Sequence, residues 1–351
     1  MIRNSTVLEA EFQPREILHR RNQIDHLSSL LERRLAGERV DGALLYGPTG
    51  TGKTSTARFL AERVDEQHSD ILTCYVNCWE NSTRPAILHR ILEGISPTIP
   101  GVARSTPPDE LGQELRRQLD APYVVILDEA DQLEADVALY ELYQNPLVTM
   151  LLIANDDEEF FAPLDMRVDS RLVTIPRVQF EQYTDAELVS ILEARADAAL
   201  EPGSIRRDGL AAIADAAAGD ARVAIGILRN AAEYAEADGL DRITGHAILS
   251  VVDVARREVR HETMSSLTRH QRVVLEILIE FGEQTMSEVY ERYCERVSRP
   301  RVRRSVRSYL DKMAHYDLVE TFGENRGRTY DAVAELREGD PQVIGPAYEL
   351  G

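Results

Sequence analysis

The stretch Leu44-Leu45-Tyr46-Gly47-Pro48-Thr49-Gly50-Thr51-Gly52-Lys53-Thr54 decides how this chain is read. An apolar run, Ala43 to Tyr46, breaks at Gly47, and a helix-forming run, Ser55 to Val64, starts directly after Thr54. The spacing between them is G-x4-G-K-T, which reads as a phosphate-binding loop between a buried strand and a helix. Its glycines let backbone N–H groups turn inward around a polyphosphate, and the helix that follows offers its positive N-terminus. In such a loop Lys53 reaches the β- and γ-phosphates and the Thr54 hydroxyl sits on Mg²⁺. Gly47 to Ser55 are therefore the expected nucleotide contacts, with ATP or ADP and Mg²⁺ as cofactors.

Moving outward, the second strong signal is Tyr123-Val124-Val125-Ile126-Leu127-Asp128-Glu129. A continuous apolar run closed by two acids is the pattern of a central parallel strand whose carboxyl end reaches a bound nucleotide. Asp128 is expected to hold Mg²⁺ together with Thr54, and Glu129 to orient or deprotonate the attacking water. A third buried strand, Val148 to Ala154, ends at Asn155, an amide able to touch the γ-phosphate. Arg167 and Arg171 follow on a short helix or turn, and either can serve as an arginine finger toward a neighbouring subunit's nucleotide. From Tyr183 to Glu258 the pattern is entirely helical. There Gly219-Asp220-Ala221-Arg222 starts a helix, with Asp220 suited to the N-cap and Arg222 able to reach back to the phosphates.

Composition bounds the class. A chain of 351 residues with 43% apolar content has room for two or three domains of about 100–200 residues each. No apolar run approaches the ~20 residues of a membrane span, and Met1 to Phe12 lack the apolar core of a signal peptide, so a cytoplasmic, nucleoid-associated protein without a membrane partner is expected. Cys74, Cys78 and Cys294 are too few for a disulfide framework, and the first two read as small core residues. The net charge is -20, and only Lys53 and Lys312 are lysines. An acidic surface with arginine as nearly the only cation suggests a salt-loving organism.

One segment departs from that acidity. Helix-like runs at Gln271 to Glu280, Ser287 to Glu295 and Arg301 to Ala314 precede an extended Leu318 to Phe322, a Gly323 to Gly327 turn and Arg328-Thr329-Tyr330. Three helices and a β-hairpin make a winged helix. Arg299, Arg301, Arg303, Arg304 and Arg307 cluster at its third helix, with Arg326 and Arg328 at the hairpin tip. Clustered positive charge is the footprint of nucleic acid, and these seven arginines are the expected DNA contacts.

The order of these motifs resembles the archaeal Orc1/Cdc6 replication initiators within the AAA+ ATPases, over about Leu8 to Val333. The more specific marks are Pro14 to Arg20, Tyr75-Val76-Asn77-Cys78, Leu127-Asp128-Glu129-Ala130-Asp131-Gln132-Leu133, Gln182-Tyr183-Thr184 and Gly219-Asp220-Ala221-Arg222. The resemblance implies that Lys53 and Thr54 are the Walker A ligands, Asp128 and Glu129 the Walker B acids, Asn155 sensor 1 and Arg222 sensor 2. It also implies that Arg20 lines an adenine pocket, with Tyr183 beside the nucleotide, and that an additional DNA-touching helix lies within Asn81 to Arg104. Asp165-Met166-Arg167 stands where Asp-Pro-Arg is commoner.

The expected fold is thus α/β, an AAA+ P-loop parallel sheet with a helical lid followed by a winged-helix DNA-binding domain. Its boundaries are 1–177 for the base, 178–262 for the lid, 266–333 for the winged helix and 334–351 for a tail. The expected function is ATP-dependent recognition of double-stranded origin DNA with slow ATP hydrolysis. The replicative helicase and other Orc1/Cdc6 subunits are the expected partners. A nucleotide-gated transcription regulator and a protein-binding AAA+ adaptor are the alternative readings.

Overall fold

The computed structural model describes residues 1–337 except 11, 69, 97–98, 100–101, 104, 134–135, 163, 299, 317 and 324–326. Arg299, Arg326, the tail beyond 337 and part of the Asn81 to Arg104 stretch therefore lie outside the described residues. The chain divides into two compact units, 1–256 and 257–351.

In the first unit, α1 (Arg21–Leu35) leads to β1 (Gly42–Tyr46), α2 (Lys53–Gln67), β2 (Leu72–Asn77), α3 (Arg84–Ile95), α4 (Pro108–Gln118) and β3 (Tyr123–Asp128). Then come α5 (Val137–Gln144), β4 (Val148–Ala154), α6 (Asp157–Phe161), α7 (Met166–Leu172) and β5 (Arg177–Gln179). The five strands form one parallel sheet in the order β2-β3-β4-β1-β5. Alternation along each strand sends side chains to opposite faces. Leu44, Val125, Leu127, Met150 and Leu152 pack under α3, α4, α5 and α7, whereas Ala43, Leu45, Val124, Ile126, Leu151 and Ile153 pack under α1 and α2. A sheet covered on both sides explains why these strands read as unbroken apolar runs. Cys74 and Cys78 are buried in the first of these cores.

The helical part follows as α8 (Asp185–Ala199), α9 (Arg207–Ala217) and α10 (Ala221–Ala237), and α11 (Gly245–Ser266) carries the chain across the boundary between the units. Thr184 caps α8 in a reciprocal capping box with Glu187, and Asp220 caps α10. Base and lid form one compact unit rather than two. The first residues, expected in the base, pack instead with the lid: Val7 and Leu8 are buried in its core. Arg3 N–H donates to Ala199 O at 2.7 Å, and the Arg195 guanidinium donates to Val7 O at 2.6 Å and Phe12 O at 3.2 Å. These two apolar side chains fill a face formed by α8 and α10.

The second unit contains α12 (Arg269–Phe281), β6 (Gln284–Thr285), α13 (Met286–Arg296), α14 (Arg303–His315), β7 (Val319–Phe322) and β8 (Thr329–Ala332). The expected hairpin is a three-stranded antiparallel sheet, β6-β8-β7, with Gln284 opposite Tyr330. Two-residue β6 is too short to show any period in the sequence. Helix α14 starts two residues later than expected, which leaves Arg301 before it; Arg301 N–H donates to the Tyr293 hydroxyl at 3.1 Å. Among the described residues no helix is long and apolar enough to cross a membrane.

Candidate functional site

The carboxyl ends of β1, β3 and β4 converge, the usual place for a ligand on an open α/β sheet. The loop after β1 needs glycine: φ is +142° at Gly47, +69° at Gly50 and +85° at Gly52. These values lie in the region closed to most side chains. A Cβ at Gly47 would stand 1.9 Å from Phe180 O, and one at Gly52 would stand 2.6 Å from the Tyr183 hydroxyl. Thr51 is fully buried and folds the loop on itself, its hydroxyl donating to Pro48 O at 2.8 Å. Thr49 lies between them, half-buried, and Ser55 accepts at its carbonyl from Gln13 Nε2 at 2.9 Å.

Lys53 opens α2 and folds back into the loop. Its Nζ donates to Gly47 O at 2.6 Å and Pro48 O at 2.7 Å, and stands 3.5 Å from the Asn155 amide oxygen. Burial lowers its pKa to about 8, against the nearby carboxylate of Asp128, which favours the charge. The Thr54 hydroxyl donates to Asp128 Oδ2 at 2.9 Å, and Tyr75 from β2 donates to the same oxygen at 2.7 Å. The backbone N–H of Glu129 donates to Asp128 Oδ1 at 3.0 Å. Burial pushes the Asp128 carboxyl up, while the Tyr75 and Thr54 hydroxyls and Lys53 pull the other way. A hydroxyl and a carboxylate side by side are hard oxygen ligands of the kind that suits Mg²⁺. Glu129 itself has φ +54°, a left-handed backbone that costs a non-glycine residue about 1–2 kcal/mol.

The lid rests on this loop. Ala221 N–H donates to Gly50 O at 3.1 Å, and a Cβ at Gly50 would stand 2.0 Å from Asp220 Oδ1. Asp220 accepts from Arg222 N at 2.7 Å and pairs with the Arg222 guanidinium at 3.0 Å, so Arg222 stands close enough to Lys53 for their charges to interact. Arg20 is buried and donates to Thr51 O at 2.9 Å and Glu181 O at 2.7 Å, with the Tyr183 ring 3.8 Å below its guanidinium carbon. An open cleft of about 480 Å³ beside it is lined by His19, Arg20, Gln23, Glu181 and Glu187.

The fold thus gathers the loop, Lys53, Thr54, Asp128, Glu129, Asn155, Arg222, Arg20 and Tyr183 around one site. It does not bring Arg167 or Arg171 there. Arg167 is exposed on α7, and Arg171 donates to Arg167 O at 2.7 Å and lies over the Tyr140 ring. The residue that sequence reasoning missed is Tyr75. The sequence shows Tyr75 only within the Tyr75-Val76-Asn77-Cys78 mark, which gives it no role at the acids.

In the second unit Arg303, Arg304 and Arg307 are exposed on α14, above a buried face of Val306, Leu310 and Met313. Arg303 donates to Ser287 Oγ at 2.6 Å, and Arg328 on β8's approach donates to Asp311 Oδ1 at 3.3 Å. Helix α3, the place expected for a further DNA-touching helix, buries Ile87, Leu88, Ile91 and Leu92 against the sheet.

A phosphate-binding loop, an acid-tipped central strand and a helical lid resting on the loop are the parts of an AAA+ ATPase. Residues 41–159 match the AAA domain family, and residues 189–251 match the Cdc6 AAA+ ATPase-type lid domain. ORC1-type DNA replication protein 9 of Halobacterium salinarum is 42% identical over 95% of this chain and 94% of its own length. ORC1-type DNA replication protein 1 of the same organism is 44% identical over 88% of this chain and all of its own. Among solved structures, the Aeropyrum pernix ORC1 protein in complex with DNA superposes with a TM-score of 0.74 at 28% identity, covering 98% of this chain and 96% of that one. The A. pernix ORC2 protein, solved in ADPNP and ADP complexes, shares the fold with a TM-score of 0.66 at 24% identity over 95% of this chain and 94% of that one. The chain belongs to the archaeal Orc1/Cdc6 family of DNA replication proteins.

Proposed function

We propose that this protein holds ATP and Mg²⁺ between the phosphate loop and the lid and uses its winged helix to bind double-stranded origin DNA. In this reading the ATP-bound form helps to place the replicative helicase, and hydrolysis resets it. The observation that carries the reading is the contact of the Gly-Asp-Ala-Arg turn with Gly50: a lid that touches the phosphate loop through its backbone senses what the loop holds. Bound ATP supplies a γ-phosphoryl group open to attack by water, with Mg²⁺ neutralising charge. Thr54 and Asp128 would hold the cation, Lys53 the β- and γ-phosphates, and Asn155 and Arg222 the terminal phosphate. Glu129 would orient the water. Arg167, the more exposed of the two arginines on α7, suits a finger offered to a neighbouring Orc1/Cdc6 subunit.

The test is a selection of genomic fragments by the purified protein in high potassium chloride. It is run with a non-hydrolysable ATP analogue and repeated with Lys53→Ala. One or a few repeat-bearing loci beside AT-rich segments, lost with Lys53→Ala, are the expected result. Enrichment at many promoters would point to a transcription regulator, and no enrichment would leave an ATPase whose winged helix holds protein.

Two further outcomes concern the DNA face. Arg304→Ala with Arg307→Ala is expected to weaken duplex binding and to reduce the slope of log affinity against log salt by about 2, one phosphate per arginine. Fluorescence anisotropy across a potassium chloride series measures this, and an unchanged slope would remove α14 from the interface. Asp311, half-buried between Arg328 and Arg307, has its carboxyl pushed up by desolvation although both arginines oppose the shift. A carboxyl raised in the folded state contributes stability below its unfolded pKa and loses it as the pH climbs through the folded value. Asp311→Asn mimics the protonated form. It is therefore expected to flatten that acid-side dependence in a thermal melt and to tighten DNA roughly threefold, the size of one charge interaction at ~7 Å in water. Weaker DNA binding would mean that Asp311 serves instead to hold Arg328 in place.

A further inference from the structure

We propose that Tyr75 is a positioning residue for the Mg²⁺-nucleotide site, acting through Asp128; the inference rests on the ATP reading above. A carboxylate offers about four acceptor positions. Three of those of Asp128 are occupied from within the protein: Oδ2 by the Thr54 and Tyr75 hydroxyls at 2.9 and 2.7 Å, and Oδ1 by the Glu129 N–H at 3.0 Å. Thr54 cannot serve as the sole anchor of Oδ2, because its oxygen is itself the expected cation ligand. Tyr75 is the one side-chain donor to Asp128 that has no other task in the site.

The tyrosine is well held for such a role. It sits on β2, paired in register with Ile126 of β3, two residues before Asp128. From the other side the Arg58 guanidinium of α2 stacks 4.0 Å over its ring. Strand pairing fixes the Cα and the stacked cation fixes the ring, so the hydroxyl meets Asp128 from a fixed direction. Groups that orient a metal ligand in this way matter nearly as much as the ligand itself, and their loss typically costs 10–100-fold in metal affinity.

The experiment titrates Mg²⁺ against the intact protein with a fluorescent ADP analogue as reporter, in parallel with the same analogue in EDTA. The variant is Tyr75→Phe, which keeps the ring under Arg58 and removes only the hydroxyl. Expected is an unchanged affinity in EDTA and an apparent Mg²⁺ affinity lowered about 10-fold or more. A merely structural tyrosine would weaken both arms together or neither, and either result overturns the proposal. So does a tighter Mg²⁺ response, which would mean that the hydroxyl competes with the cation. The second variant is Asp128→Asn, alone and combined with Tyr75→Phe. If Tyr75 acts through Asp128, the phenylalanine produces no further loss in the asparagine background, and an additive loss overturns the proposal. The wild-type arm separates the two levels of the argument. If Mg²⁺ does not strengthen binding to the wild type, the Mg²⁺-ATP reading itself falls and this inference with it. If Mg²⁺ does so and only Tyr75→Phe is silent, the inference alone fails.

Discussion

Lys53→Ala is expected to weaken ATP and ADP binding by about 30-fold or more while the protein still folds. The ammonium lies in the loop, bonded to Gly47 O and Pro48 O and close to Asn155. All three hydrogen-bond partners are neutral carbonyl oxygens, and burial lowers the pKa to about 8 although the nearby Asp128 carboxylate favours the charge. A polyphosphate offers the charge that these carbonyls lack, so the interaction gains most when nucleotide is bound. Removing one partner of a buried, hydrogen-bonded charge pair costs about 2–5 kcal/mol, which is roughly 30-fold to several thousandfold in affinity. In the empty protein the same truncation removes a desolvated charge from a loop whose carbonyls can take water, so the melting temperature should stay within a few degrees. Calorimetric titration of ATP and a thermal melt read the two effects separately. Binding within tenfold of wild type would show that the loop does not grip phosphates as argued.

Glu129→Gln is expected to lower the ATP turnover rate by about 100-fold or more with nucleotide affinity unchanged, the range for losing a positioned general base. The side chain leaves the strand at a left-handed residue, and the position is held from both sides. Its N–H donates to Asp128 Oδ1, and its C=O accepts from Gln132 N at 2.9 Å. Glutamine keeps the shape and the backbone but cannot take a proton. Single-turnover hydrolysis measured at saturating ATP isolates the chemical step. A rate within threefold of wild type would assign the water to another residue. Glu129→Gly provides the complementary result: it relieves the φ of +54° and so should cost no stability, yet it should be as inactive as the glutamine variant.

Much of this architecture is legible in the sequence because its signals are local. The strands β1, β3 and β4 are buried on both faces and therefore appear as unbroken apolar runs, and β4 occupies the expected Val148 to Ala154. Asp220 caps α10 where the sequence places it, since an N-cap needs only the two or three residues after it. What escapes is whatever depends on a distant partner. The strand β5 has three residues and exists because β1 offers it a free edge, and β6 has two. The packing of Val7 and Leu8 on the lid joins residues nearly two hundred positions apart. The bond from Tyr75 to Asp128 follows from the register of β2 on β3, which no periodicity within either strand reveals.

The N-terminal segment changes how the lid can move. Val7 and Leu8 pack on the lid, the chain then crosses to the base before α1, and it returns to the lid after β5, so the lid is held at two places, covalently after β5 and through the packed N-terminal segment. Arg20 bonds to Thr51 O in the loop and to Glu181 O in the returning strand, which ties the two crossings together. A body held at one point swivels in any direction, whereas a body held at two turns about the line that joins them. The lid is therefore hung like a door on a pair of hinges, and its easiest motion swings the Gly-Asp-Ala-Arg turn onto and off the phosphate loop along a single arc.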